Sequence, residues 1–437
     1  MHTSSRYLLA GALWSLGTPA AGAQERTDRT TSIDVTVDGD RSGEPGPTRR
    51  SAEEIRRLPG AFGDPFRAIG AMPGVTPTVS GLPFFYVRGS PPGNVGYYLD
   101  GIPVPYLFHV LGGPSVLHPA LIGEVELYPG AYPLEFGRYA GGIVTGATTA
   151  PRSDWHGHGT LRLLDVGGIA EGGLADGKAT LLLGGRYSYT GAIFSAISPD
   201  LTLDYRDAQA RFTYALNERE RITVLAFGAY DYLAEKRFDV EDPIFATEFY
   251  RAQLRYDRDL DGGRYRADTF VGIDRSLLDD GRRTNAVLLG SRTMLTHRLG
   301  ADLAGQVGLD VQHRNYRVEN PPFSDPRDPE ANRYNALFSS RNEANAGAWL
   351  GLVYRSNRFA IEPGLRAELY IAGPDTAFAL EPRVSAIATL VEGWRLRPSL
   401  GLAHQLPAYL APVPGLTPVG LEDGLQQALQ SSLALDG

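Results

Sequence analysis

From about residue 151 onward, apolar and polar residues alternate one by one over long stretches. In 246–257, Tyr250, Ala252, Leu254 and Tyr256 fall on one side and Arg251, Gln253, Arg255 and Asp257 on the other. Segment 205–214 sets Ala208, Ala210, Phe212 and Tyr214 against Asp207, Gln209, Arg211 and Thr213. Segment 302–313 opposes Leu303, Val307, Leu309 and Val311 to Asp302, Gln306, Asp310 and Gln312. Segment 358–369 opposes Phe359, Ile361, Leu365 and Leu369 to Glu362, Arg366 and Glu368. A period of two predicts β-strands whose faces meet different surroundings. A soluble sandwich alternates in the same way, so the pattern leaves open which face is buried.

The connections narrow the choice. Short polar turns at 217–220, 259–263, 355–357 and 392–393 alternate with longer segments at 188–203, 233–246 and 319–342. Short turns at one end and long loops at the other are the habit of an outer-membrane barrel. Strands of about 10 to 15 residues also suit a tilted bilayer crossing better than the usual soluble strand of about 5 to 6. Residues 151–437 therefore predict an antiparallel transmembrane β-barrel.

The first 150 residues read differently. Arg6 precedes an apolar run from Tyr7 to Gly17, and Ala21-Gly22-Ala23 supplies small residues at a cleavage site. This predicts an export signal over 1–23, removed to leave Gln24 first. No later run of about 18 apolar residues follows, so no membrane-crossing helix is expected. Residues 24–50 are polar and rich in Gly and Pro, a flexible linker interrupted by the alternating pentad Ile33-Asp34-Val35-Thr36-Val37. Residues 51–150 predict a small α+β unit. Ser51 and Glu54 form a capping box ahead of a short helix stopped by Pro59-Gly60. A second short helix is expected through Phe66, Ile69 and Met72. Strands are expected at 84–88, 96–100, 124–128 and 142–146.

Composition removes several functions. The 42 basic and 50 acidic residues leave a net charge of −8, against a nucleic-acid partner. With no Cys there is no disulfide, thiolate nucleophile or zinc–thiolate centre. Gly172-x4-Gly177-Lys178 resembles a phosphate-binding loop, but Ala179 stands where a hydroxyl would bind magnesium, and strand patterns flank it; it reads as a hairpin turn. Asp257, Asp259, Asp261 and Gly262 with Asp268 imitate a calcium loop, yet Arg258, Arg264 and Arg266 crowd it with positive charge. His156 and His158 read as exposed residues at a strand start. No catalytic signature is present, and neither an enzyme activity, a cofactor nor a metal is expected.

Four motifs in the α+β unit follow one another over about 60 residues. They are Tyr86-Val87-Arg88-Gly89; Gly96 to Val104 with Asp100-Gly101 at its centre; Leu121 to Gly130 with Glu124 and Glu126; and Glu135 to Val144 with Gly137, Gly141 and Gly142. In that order they resemble the plug of a TonB-dependent outer-membrane receptor. Pro129 and Phe136 depart from the usual Arg and Tyr. The resemblance implies a mainly β protein: a plug over 51–150, followed by a barrel around it in the outer membrane. It implies that Ile33–Val37 stands where such receptors carry the segment captured by TonB, through strand addition. It also implies that a small external ligand or glycan is bound and imported as TonB pulls the plug. A structural or adhesive barrel with an uncoupled plug is the alternative.

Inside a polar lumen, Arg88 would need carboxylate partners, with Glu124 and Glu126 as candidates on the plug itself. Gly89, Gly101, Gly130, Gly141 and Gly142 suit tight turns and close approach to the wall. Aromatic residues crowd the plug loops, and Tyr106, Phe108 and His109 are candidate ligand contacts. Packing against the wall is an equal alternative for them. The alternating segments number about 13 or 14, where a plug-filled barrel of this kind needs about 22. An open sheet edge in lipid leaves backbone groups unpaired, so the barrel is expected to be incomplete and the chain a fragment, or else the barrel closes with fewer strands around the plug.

Overall fold

A computed structural model of the chain describes residues 48–436 except 62, 78–83, 111, 191–199, 238–239, 322–326, 409–412, 417–419 and 422–423. The expected export signal and the pentad Ile33–Val37 lie outside the described residues.

The α+β unit opens with β1 (Thr48–Ser51), which runs into α1 (Ala52–Arg57). Ser51 caps α1 as the sequence suggests. Its backbone N–H donates to Glu54 Oε2 at 2.7 Å, and Glu54 N–H donates back to Ser51 Oγ at 3.3 Å. The second expected helix is a short 3-10 segment, Arg67–Ala71, followed by Pro73-Gly74. The strands are β2 (Val75–Pro77), β3 (Phe85–Val87), β4 (Gly96–Leu99), β5 (Ile102–Pro103), β6 (Ile122–Tyr128) and β7 (Ile143–Thr148).

Five of them form one mixed sheet in the order β1-β6-β7-β4-β5, with β4 and β7 parallel, while β2 pairs with β3. Residues 48–50, expected to end a linker, are part of this sheet. Thr48 faces Leu127 and Ser51 faces Glu124, a register that sets Arg49 opposite Glu126. The sheet and α1 enclose an apolar core that includes Ile55, Phe66, Ile69, Leu99, Ile102, Val125, Leu127 and Val144.

Fourteen strands follow, each paired with the next in sequence order. They are β8 (His156–Leu161), β9 (Asp165–Leu174), β10 (Ala179–Ser188), β11 (Leu201–Ala215), β12 (Glu220–Arg237), β13 (Val240–Leu260) and β14 (Gly263–Leu278). They continue with β15 (Arg283–Arg298), β16 (Leu303–Glu319), β17 (Arg341–Arg355), β18 (Phe359–Ala372), β19 (Asp375–Val391), β20 (Trp394–Gln405) and β21 (Gln426–Asp436). All pairings are antiparallel, as hairpin connections require. Among the described residues, β8 pairs only with β9, and β21 only with β20. The near phosphate-binding loop is the β9–β10 hairpin turn, with Ala175, Asp176 and Gly177 all at positive φ.

One end of the wall carries only short turns. The other carries the connections 189–200, 320–340 (with α2, Pro329–Ala336) and 406–425. Of the loop expected at 233–246, residues 233–237 and 240–246 are instead strand. β12 and β13 continue together as far as Arg237 opposite Val240, past one irregularity between Leu233 and Ala234. Lys236 sits directly opposite Glu241, an opposite-charge cross-strand pair that favours extension of the ladder.

The burial of the two strand faces settles what the alternation left open. On β13, Arg251 is 4% exposed and Asp257 is buried, while Leu254 is 56% exposed. The same inversion recurs on β16, where Asp310 is buried and Leu309 and Val311 are exposed, and on β18, where Arg366 and Glu368 are buried and Leu365 exposed. A soluble sandwich buries its apolar face. This wall turns the apolar face outward and the charged face toward the α+β unit, the arrangement of a barrel in lipid.

Candidate functional site

Among the contacts between the charged inner face and the plug-like unit, two are built on buried clusters of charge. The first is Arg138, in the turn after Gly137, held at φ +72° where a side chain other than glycine is rarely found. Its Nη2 donates to Asp310 of β16, and its Nε and Nη2 donate to Glu368 Oε2 of β18 at 3.2 and 3.1 Å. Arg366 completes the group. It donates to Glu368, to Asp310 Oδ2 at 2.6 Å and to the carbonyl of Leu134 at 2.9 Å. Two guanidinium groups thus share two carboxylates in a buried network without net charge, the condition under which buried ions are tolerated. Burial works against the charge on Arg138, but Asp310 and Glu368 outweigh it and hold the group protonated. A Cβ on Gly137 would collide with Glu368 and Arg366, so the close approach requires glycine.

The second anchor is His109, which is 0% exposed. Its Nδ1 lies 3.0 Å from both carboxylate oxygens of Asp231 on β12, and its Nε2 lies 3.1 Å from Asp207 Oδ2 on β11. Tyr106 donates its hydroxyl to Asp231 at 3.0 Å, and Arg186 Nε donates to Asp207 at 2.7 Å. The Tyr205 ring stacks on the imidazole, with centroids 4.6 Å apart. Burial alone would lower the His109 pKa, but the two carboxylates prevail and push it up to about 9. Phe108 packs edge-on against Phe85. Tyr106 and His109 are therefore wall contacts, Phe108 packs within the plug-like unit, and none of the three lines the cavity described below.

Arg88 does not find the partners expected for it. It is exposed, sits at φ +51° in the turn after β3, and among the described residues its Nη1 reaches only the Ser431 carbonyl, at 3.3 Å. Glu124 and Glu126 are engaged by Arg49, which the β1–β6 register brings to the same face, and Tyr128 also donates to Glu126 at 3.0 Å. Asp100 accepts from Thr148 N–H at 2.9 Å and Thr148 Oγ1 at 2.7 Å, and pairs with Arg255 of β13 at 3.4 Å. Burial opposes the charge on Asp100, but Arg255 and Thr148 hold its carboxyl below the usual range. Gly89 and Gly101 occupy turns. Gly130 packs on Gln430 of β21, and Gly141 and Gly142 lie against the backbone of Asn94 and Tyr128.

Above the anchors lies a cavity of about 180 Å³. Its floor is Tyr97, Tyr98 and Tyr139 of the plug-like unit, and its wall includes Arg251, Asp274, Arg314, Tyr316, Glu343 and Tyr370. Residues 406–408 and 413–416 roof it. Tyr316 and Glu343 lie where β16 and β17 meet the 320–340 connection, and Tyr370 lies at the same end of β18, so the cavity faces the long-loop end. Most of its charges are paired internally: Arg251 with Asp274 at 2.8 Å and Glu343 with Arg341 at 2.6 Å. Arg314 donates to the Tyr316 hydroxyl at 2.9 Å, and among the described residues no carboxylate lies within ion-pair distance of it, although Glu343 and Asp274 act on it from further away; its Nε has no hydrogen-bond partner, nor does the Tyr97 hydroxyl. The cavity thus presents spare donors and aromatic faces.

Residues 40–144 match the TonB-dependent receptor plug domain family. The plug-like unit thus matches that family's plug. Solved structures of such receptors share the fold at low identity. The siderophore receptor PirA from Acinetobacter baumannii is 14% identical, with a TM-score of 0.65 over 84% of this chain and 62% of its own. A mutant of the ferric enterobactin receptor PfeA from Pseudomonas aeruginosa is also 14% identical, with a TM-score of 0.67 over 90% of this chain and 69% of its own. The FrpB iron transporter from Neisseria meningitidis gives 15%, a TM-score of 0.62, and 83% and 65%. The chain thus spans less than two thirds of the length of some of the receptors it resembles. No curated protein sequence matches it. These neighbours are receptors and transporters rather than enzymes, and the outward apolar wall is that of an outer-membrane protein.

Two residues that organise the plug-like unit and its contact with the wall escape a reading of the sequence. Arg138 lies inside the Glu135–Val144 motif, and its acceptors lie on the polar faces of 302–313 and 358–369. The pattern shows a plug cation and lumen acids without showing which ones meet. Arg49 falls in a segment with the composition of a linker.

Proposed function

We propose that the protein binds a small external ligand in the cavity above the plug and admits it when TonB draws on Ile33–Val37 and the plug yields. The cavity carries this reading: it lies between the plug apex and the long loops, and the plug beneath it is fastened to the wall by Arg138 and His109. The unpaired Nε–H of Arg314, beside tyrosine hydroxyls, favours a ligand rich in acceptor oxygens. Ferric siderophores, named for the structural neighbours, have that chemistry. The test is growth of an iron-starved host carrying the chain on a panel of ferric siderophores. Deleting Ile33–Val37 is expected to abolish growth and leave surface binding of the same ligand intact. Undiminished growth would favour an uncoupled plug, and no binding of any siderophore would remove the ligand class.

A further inference from the structure

A row of charges crosses the inner face of the wall and takes in the cluster around Arg138. Arg255 on β13, Asp268 on β14, Arg292 on β15 and Asp310 on β16 stand directly opposite one another. Gly347 continues the row on β17 and Glu368 on β18, with Arg366 as the preceding inward residue of β18. The wall thus supplies three bases, Arg255, Arg292 and Arg366, and three acids, Asp268, Asp310 and Glu368. To the same row the plug-like unit adds Asp100, 3.4 Å from Arg255, and Arg138, on Asp310 and Glu368. One acid and one base are added together, so the row is neutral with the plug in place and neutral without it. In the row below, Asp257 lies 3.1 Å from Arg255 and 2.8 Å from Arg266, and Glu135 of the plug-like unit acts on Arg266 only from further away.

Arg292 is the member of the row without a direct partner. It is 7% exposed, its Nε has no hydrogen-bond partner, and among the described residues no carboxylate lies within ion-pair distance of it. Asp268 and Asp310 feel its charge from further away. Both oxygens of Asp310 are taken, one by Arg138 and the other by Arg366 at 2.6 Å, while Asp268 accepts from Gln253 at 3.3 Å. The guanidinium extends past both acids toward the plug-like unit. A Cβ on Gly101 would lie 3.0 Å from its Nη1, and its central carbon is 5.8 Å from the centre of the Phe136 ring. Facing residues of adjacent antiparallel strands are only about 5 Å apart, so the long Arg292 side chain can turn to Asp310 once Arg138 has left it.

We propose that this row exchanges partners when the plug withdraws: Arg292 replaces Arg138 on Asp310, and Arg255 exchanges Asp100 for Asp268. Arg292 is a standby cation, held out of direct pairing while the plug is docked. A buried carboxylate stripped of its partner is costly, and the exchange avoids that cost because each group the plug leaves behind has an opposite charge already in register beside it. The proposal rests on the reading that the plug yields. It does not depend on which ligand passes or on what draws the plug.

The experiment is single-channel recording of the purified full chain in planar bilayers, over a urea series that brings plug release into the measurable range. Arg292→Gln should lower the occupancy of the open level about fivefold, because the released wall loses its standby cation while the docked plug loses no ion pair. A guanidinium that merely packs on Gly101 and Phe136 would give the opposite sign, a looser plug. Arg292→Lys keeps the charge and should restore most of the parental occupancy. Unchanged or higher occupancy in Arg292→Gln overturns the proposal, and so does a lysine variant no better than the glutamine one. If Arg292→Gln loses its heat-modifiable migration on a gel, and so its fold, Asp268→Asn decides. That variant leaves Arg255 without the acid opposite it in the released wall and should also lower the open occupancy, whereas parental or higher occupancy overturns the proposal. Siderophore-dependent growth is read separately, so failure here leaves the import reading standing, and the reverse.

Discussion

Arg138 and Glu368 lie 230 positions apart in sequence, yet Nε and Nη2 of the first converge at 3.2 and 3.1 Å on one carboxylate oxygen of the second. The contact joins plug to barrel wall inside a network closed by Asp310 and Arg366, so displacing the plug separates charges that the network neutralises. Removing one partner of such a buried group leaves another uncompensated, at a cost of about 3 to 5 kcal/mol. Arg138→Ala should therefore loosen the plug, seen as larger bilayer conductance and greater host sensitivity to bulky antibiotics. Parental values for both would mean that the plug is held elsewhere.

Arg88→Ala should do much less. The side chain is exposed and reaches one carbonyl, so about 0.5 kcal/mol or less is expected. Thermal unfolding and conductance should match the parent. A loss equal to that of Arg138→Ala would restore Arg88 as the principal anchor.

His109 gives the plug a pH dependence. Its pKa is raised from 6.5 to about 9 by Asp231 and Asp207, so the folded form favours the imidazolium. Stability from this source is fully present below about pH 6.5 and is lost as pH rises through 9, amounting to about 3 kcal/mol. Melting of the detergent-solubilised protein should fall between pH 7 and 10 and should fall less steeply in His109→Gln. Parallel profiles for the two proteins would refute the assignment.

The outer face makes the opposite demand. Leu350 on β17 is 62% exposed on the apolar side, and an arginine there would meet lipid at a cost of about 2 to 4 kcal/mol near the bilayer midplane. Leu350→Arg should fold into vesicles with lower yield than Leu350→Ala. Equal yields would argue that this face does not contact lipid.

Much of this architecture is written locally. Alternation repeats every second residue, so the strands around Tyr250, Leu309 and Leu365 were evident without any tertiary information. The Ser51–Glu54 cap spans three residues, and the four plug motifs are short and ordered. The direction of the alternation was not local, since the same pattern serves a sandwich and a barrel; only the burial of Arg251 beside an exposed Leu254 distinguishes them. The extension of β12 and β13 through 233–246 depended on two polar segments finding each other in register. The plug anchors lay furthest from reach. Arg88 and Arg138 both stand in motifs beside glycine, and composition favours neither. Arg138 is the anchor because docking sets it between Asp310 and Glu368, while the β1–β6 register gives Glu124 and Glu126 to Arg49. Periodicity and caps are properties of neighbouring residues and are determined by the sequence alone. Which base meets which acid inside the lumen depends on distances between residues hundreds of positions apart, and only the packed tertiary structure decides those.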